Sequence, residues 1–266
     1  MTVLEMTALD RLPAVGLAEL TASAALMTRV DRKYLVPADE LAGLLWRLPA
    51  GTRALEIDGR RRFGYRSEYL DTPALDSYHG AAYRRRRRFK VRLRTYLDSG
   101  ERFAEVKTRG ARGVTVKHRM PYAGDAVRLD AGARLFVDAT LCDAGIGRPG
   151  DRLRPALNTW YERVTLGTPD GARVTVDTDL AFALPGSIAV ARPGPTPGAC
   201  TLRGVAVVET KSLRGAGEVD RLLWRLGHRP CAMSKYATGL AALRPELPAN
   251  RWHPILRRHF PTLESS

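Results

Sequence analysis

From Arg62 onward the chain alternates charged and apolar residues, and this period of two restricts it to sheet. In RFKVRLRTYL, Lys90, Arg92 and Arg94 fall on one face and Phe89, Val91 and Leu93 on the other. Glu105 and Lys107 repeat the arrangement against Val106, Lys117 and Arg119 against Val116, and Tyr161 and Arg163 against Val164. Arg173 and Asp177 stand against Val174 and Val176, and in GVAVVETK Glu209 and Lys211 share a face with Val208 opposite. RFGYRSEYLD reads as a strand ended by Asp71-Thr72-Pro73, while RFKVRLRTYL and RFAEVKT flank Asp98-Ser99-Gly100 closely enough to form a hairpin. VTVKHRMPY follows the RGARG turn, NTWYERVTLG pairs with ARVTVDTDL across Thr168-Pro169-Asp170-Gly171, and GVAVVETKS is a late strand. With the β-like RVDRKYLV around Lys33 this makes about eight strands, enough to close an antiparallel barrel around a cavity.

Helical segments are expected at Leu12 to Thr28, Pro37 to Leu48, Ala126 to Ala144, Glu218 to Leu226 and Lys235 to Leu243, and Arg192 to Gly198 (RPGPTPG) is expected as loop. Helices placed between the strands can cover their apolar side. The charged faces then meet inside, where so many cations repel one another unless an anion fills the lumen. A half-buried sheet with its charges in water is the competing reading of any single strand; repetition over five or more strands favours the lumen. Glu105, Glu209 and Asp177 interleave with the cations as ion-pair partners. Glu209 is also the metal candidate, because Mg²⁺ or Mn²⁺ arriving with phosphates needs a hard carboxylate oxygen.

Composition agrees. The chain has 43 Lys plus Arg against 28 Asp plus Glu, a formal charge of +15, which points to a polyanionic partner. Only six of the cations are lysines, and all lie in the segments named here. Cys142, Cys200 and Cys231 have neither zinc-ligand spacing nor disulfide pairing. No apolar run approaches the roughly 20 residues of a membrane helix, and the opening MTVLEMTALD lacks the basic start of a signal peptide, so a cytoplasmic location is expected.

RVDRKYLV, YLDTPALDSY, the RLRTY strand, AEVKTR, YERV with RVTVDTDL, VVETKS and SKYATGL, in this order, resemble the VTC domain, the polyphosphate polymerase module of the triphosphate tunnel metalloenzyme superfamily. The resemblance covers roughly residues 25 to 245. It implies an α+β fold, a closed eight-stranded antiparallel β-barrel with helices packed outside, over residues 29–245, between an N-terminal helical segment (1–28) and a C-terminal tail (246–266). It implies metal-dependent transfer of the γ-phosphate of ATP to polyphosphate. Carried over by position, Lys33, Arg92, Arg94, Lys107, Arg173 and Lys235 contact phosphates, Glu209 holds Mn²⁺ or Mg²⁺, and Lys90, Lys117, Arg119, Arg163 and Lys211 are further wall residues. Two positions depart from the family pattern: Asp31 where many superfamily members have glutamate, and Ala232 where eukaryotic relatives carry a second lysine. The Arg84 to Arg88 run is either charge at a tunnel mouth or a solvated turn. With no membrane segment evident, translocation of a product needs a separate membrane partner.

Two other readings compete. A tripolyphosphate or organic triphosphate hydrolase of the same superfamily usually shows ExExK near its start, where this chain reads RVDRK. A non-catalytic polyanion or nucleic-acid binder would interleave exposed aromatics or a recognition helix with its basic residues, and neither is evident here.

Overall fold

A computed structural model describes residues 1–22, 30–110, 115–124, 128–187, 198–212 and 215–260. Its elements are α1 (Val3–Asp10), β1 (Ala14–Val15), α2 (Leu17–Ala22), β2 (Val30–Pro37), α3 (Ala38–Trp46), β3 (Arg53–Leu55), β4 (Phe63–Asp71), α4 (Asp76–Ala82), β5 (Phe89–Tyr96), β6 (Arg102–Arg109) and β7 (Thr115–Pro121). They continue with α5 (Ala131–Asp143), β8 (Arg154–Gly167), β9 (Arg173–Ala183), β10 (Ala199–Thr201), β11 (Val205–Ser212), α6 (Glu218–Arg225), α7 (Lys235–Leu243) and α8 (His253–His259). The fold is α+β, its sheet antiparallel apart from the short β1–β3 pair.

The chain forms two compact units, and β8 and β9 each run on from one into the other. In the first, β2 pairs antiparallel with β11, β11 with β9, and β9 lies beside β8. Its core joins Tyr34, Val36, Val164, Leu166, Val174, Val176, Ala206 and Val208 from the strands to Leu41, Leu44 and Leu45 of α3 and Val219, Leu222 and Leu223 of α6. These strand residues are the apolar half of the alternation, so helices cover one face of the sheet and the charges take the other. Beneath the helices, Asp220 is fully buried and accepts hydrogen bonds from Tyr34 Oη (2.7 Å), Thr210 Oγ1 (2.5 Å), Arg32 (3.2 Å) and the Gly217 amide (2.8 Å). A buried carboxylate is tolerated only when it is satisfied in this way.

The second unit repeats the logic with β4, β5, β6 and β7 in sequential antiparallel order. Phe89, Val91, Leu93, Ala104 and Val106 pack beneath Ala133, Val137 and Leu141 of α5. Asp130 caps α5, its side chain accepting from Ala133 N at 2.7 Å. Asp71 ends β4 and is buried. Its carboxylate accepts from the amides of Thr72 (2.8 Å), Ser77 and Tyr78 (2.9 Å each) and from the Tyr236 hydroxyl of α7. This one carboxylate therefore ties YLDTPALDSY to SKYATGL. In the latter motif Gly239 is needed for close packing: a Cβ there would come within 2.1 Å of the Phe182 ring.

The long helix expected over Leu12 to Thr28 is not formed. Thr2 and Glu5 make a capping box that starts α1 earlier, the chain turns through Pro13 into β1, and α2 begins only at Leu17; residues 23–29 lie outside the described residues. The helix expected from Ala126 begins at its Asp130 cap, and most of the Arg192 to Gly198 loop also lies outside the described residues. Residues 246–260 fold onto the second unit: Trp252 is buried beside Tyr78 with ring centroids 5.7 Å apart, and Phe260 meets Phe182 at the same separation.

Candidate phosphate-binding faces

On the second unit, strand register aligns the charged residues in rungs across β5, β6 and β7. Lys90 stands opposite Lys107 and Lys107 opposite Lys117; one rung along, Arg92 stands opposite Glu105 and Glu105 opposite Arg119. Three lysines abreast on neighbouring strands are mutually repulsive. Including Arg94 and Arg109, this face of β5–β7 holds seven cations against Glu105 alone among the described residues.

Glu105 is completely buried and gathers the cations around it. Arg92 donates to its Oε2 through Nε (2.7 Å) and Nη2 (2.5 Å), Lys117 Nζ lies 2.5 Å from Oε1, and Arg94 Nε is 4.0 Å away. Burial alone would raise the Glu105 carboxyl, but Arg92, Arg94 and Lys117 outweigh it and hold the group far below the usual carboxylate range. Lys117 moves the other way: burial, with the nearby arginines, lowers its ammonium to about 8 despite Glu105. Arg92 Nη1 also donates to Tyr69 Oη (3.2 Å), and the Arg94 guanidinium lies 5.4 Å from the Tyr65 ring centroid. Glu105 thus takes the ion-pair role.

Lys90 donates to Ser234 Oγ at 2.9 Å, and the same oxygen caps α7 by accepting from Ala237 N. Lys235 opens α7, at the end of the helix where a cation is disfavoured and an anion favoured. Arg119 is exposed and stacks 4.9 Å from the Phe103 ring centroid. The face therefore brings Lys90, Arg92, Arg94, Lys107, Lys117 and Arg119 onto one surface, with Ser234 and Lys235 reached through Lys90. The role of Ser234 is not visible in sequence, since it depends on a partner 144 residues away.

The first unit carries a balanced face. Register sets Glu209 between Lys33 and Thr175, and Lys211 between Asp31 and Arg173. Lys211 Nζ lies 2.5 Å from Glu209 Oε1 and 2.9 Å from Asp31 Oδ2, and Lys33 Nζ is 3.6 Å from Glu209. Glu209, and less strongly Asp31, raise the Lys33 ammonium above its ordinary pKa against the effect of burial. Arg163 grips the buried Asp177 with two bonds of 2.5 and 2.8 Å. Lys33, Arg163 and Lys211 are thus paired with Glu209, Asp177 and Asp31, and Arg173 stands opposite Lys211 in the register.

Among the described residues no cluster of three Asp, Glu, His or Cys could cage a metal. The Glu209 and Asp31 carboxylates do converge on one point, now held by the Lys211 ammonium. That donor set fits a hard divalent cation that completes its shell with phosphate oxygens and water.

Among solved structures, a candidate adenylyl cyclase from Hippeastrum with a dominant triphosphatase activity is 14% identical, with 82% of this chain and 95% of that one covered and a TM-score of 0.46. An adenylate cyclase candidate from Vibrio parahaemolyticus is 12% identical over 76% of this chain and 84% of its own (TM-score 0.37). An inorganic triphosphatase is 18% identical over 74% and 80% (TM-score 0.28). No curated protein matches the sequence. The VTC domain family model matches residues 28–244, the span holding both charged faces and the ladders that order them, and the chain belongs to the VTC domain family.

Proposed function

We propose that this chain is a polyphosphate polymerase that transfers the γ-phosphate of ATP to a growing polyphosphate chain. The observation that carries the reading is the excess of cations on the β5–β7 face, with one fully neutralised carboxylate among them. A surface so charged is stabilised by an anion of several negative charges, and a chain of phosphates supplies them at regular spacing.

In the proposed reaction a terminal oxygen of polyphosphate attacks the γ-phosphorus of ATP. The bond from that phosphorus to the β,γ-bridging oxygen breaks, ADP leaves, and the polymer is one phosphate longer. Phosphoryl transfer asks for positioning and charge neutralisation rather than a covalent nucleophile. Arg92, Arg94, Lys107 and Lys235 are assigned to phosphate oxygens on the second unit, with Lys90, Lys117 and Arg119 beside them, and Lys33, Arg173, Arg163 and Lys211 serve the first. Glu209 would hold Mn²⁺ or Mg²⁺, which when bound supplies charge neutralisation to the phosphates. The sequence RVDRK in place of ExExK favours the polymerase over the hydrolase. A cytoplasmic location and a separate membrane partner for moving the product belong to the same proposal.

The test is to incubate purified protein with ATP and Mn²⁺ or Mg²⁺ and resolve the products. A polyphosphate ladder with matching ADP is expected. Free phosphate without polymer would replace the polymerase with the hydrolase, and neither product would leave a polyanion binder.

A further inference from the structure

The β5–β6 ladder does not stop at the lysine rung. Phe89 pairs with Thr108, so the next rung sets Arg88 opposite Arg109. Around these two the second unit forms a cavity of about 510 Å³ lined by Arg84, Arg86, Arg88, Arg109 and Arg251. None of the five pairs with a carboxylate among the described residues, whereas Arg92, Lys117, Lys33, Lys211 and Arg163 all do. Burial and the neighbouring arginines lower both Arg88 and Arg251. The Nε of Arg251 is buried without a hydrogen-bond partner, while its Nη1 donates to Ala81 O at 3.2 Å. An unpaired buried donor carries a desolvation cost, so this part of the wall is left polar and unsatisfied.

The backbone also carries a cost here. Helix α4 closes with the Arg85 amide donating to Gly80 O at 2.9 Å, and Arg84 takes the left-handed position at φ 53° that glycine usually fills. An arginine in that conformation costs about 1 kcal/mol or more relative to glycine, and it adds a fifth cation to the cavity wall.

From these observations we infer that the five-arginine cavity is an outer subsite for polyphosphate, continuing the β5–β7 face. The inference rests on the polyphosphate reading of the preceding section. Rungs two residues apart are separated by about 7 Å along a strand, so a chain lying across Arg92 and Arg94 reaches the cavity only if it is longer than a triphosphate. Guanidinium groups suit the task because each offers paired N–H donors to phosphate oxygens. A nucleic acid is disfavoured because, among the described residues, no aromatic side chain lines the cavity on which a base could stack.

The experiment compares wild type, in the full chain, with the double variant Arg84→Ala/Arg86→Ala, which changes two cavity residues that lie outside the β5–β7 face. Both side chains are exposed and no hydrogen bond of either is seen among the described residues, so the fold is kept. Affinities for long-chain polyphosphate and for tripolyphosphate are measured over a range of salt. Losing two charge-assisted contacts should weaken long-chain binding about tenfold or more and flatten its salt dependence. Tripolyphosphate binding should not change. Unchanged long-chain affinity, an equal loss for tripolyphosphate, or a wild type that binds no long chain would each overturn the subsite. So would a variant that loses binding to RNA or anionic vesicles while keeping long-chain polyphosphate. The outcomes separate from those of the polymerase reading: a wild type that makes no polymer but shows the chain-length effect keeps the subsite and fails the polymerase. A working polymerase whose variant binds long chains as before fails the subsite alone.

Discussion

Replacing Glu105 by Gln removes one negative charge from a site with no solvent access, where Arg92 and Lys117 both approach to 2.5 Å and Arg94 to 4.0 Å. Three cations then face one another with no carboxylate between them. Breaking a buried ion pair by removing one partner costs about 3 to 5 kcal/mol, against the few tenths to about 1 kcal/mol of a solvated pair. For a chain of this size such a loss lowers Tm by on the order of 10 °C. If the face binds phosphates, an added anion supplies the missing charge. Tripolyphosphate at about 100 times its Kd should stabilise wild type by about 2.7 kcal/mol and Glu105→Gln by more. The assay is thermal or urea unfolding of both proteins with and without tripolyphosphate. A Tm unchanged by the substitution, or one that tripolyphosphate raises no further than in wild type, would refute the reasoning. The same carboxylate sets an acid limit. Its folded pKa is depressed, so its stabilisation is complete above the ordinary value of 4.5 and is lost as pH falls from there toward the folded pKa.

Glu209→Gln should lose metal-dependent activity while retaining anion binding, since the lysines around it remain; full activity with ordinary Mn²⁺ or Mg²⁺ dependence would remove Glu209 from the mechanism. Because burial and its arginine neighbours lower Lys117 to about 8, triphosphate affinity should fall as pH rises through that value, and Lys117→Arg should hold affinity to higher pH; identical profiles would show that Lys117 does not meet the ligand. Tyr236→Phe removes one of four donors to the buried Asp71 and should cost about 1 to 3 kcal/mol in urea unfolding, whereas a change within about 0.5 kcal/mol would mean that the bond contributes nothing.

The period-two segments were legible because alternation is a local property: each valine predicted to lie opposite a charge in β8, β9 and β11, such as Val164, Val174 and Val208, is in the core. The same holds for Val91 and Val106 in the second unit, but not for Val116 of β7, which is exposed. The start of the chain departs from the helix expected at Leu12 to Thr28 although a local signal exists, since Thr2 and Glu5 stand at the spacing of a capping box. The register that sets Lys90, Lys107 and Lys117 abreast was not legible, because cross-strand pairing depends on where each hairpin closes. Nor was the bond between Asp71 and Tyr236, 165 residues apart, which turns two motifs into one structural joint. The Arg84 to Arg88 run showed its charge but not its shape: the left-handed turn at Arg84 and the convergence with Arg109 and Arg251 are tertiary facts.

The most direct measurement of the central claim, that the charged face of β5–β7 exists to hold phosphates, is triphosphate binding by Arg92→Ala/Arg94→Ala. Lys117 still neutralises Glu105 in this variant, so the sheet should remain folded. Loss of triphosphate binding in a protein that unfolds cooperatively is the predicted result. A folded variant that binds triphosphate as tightly as wild type would contradict the claim.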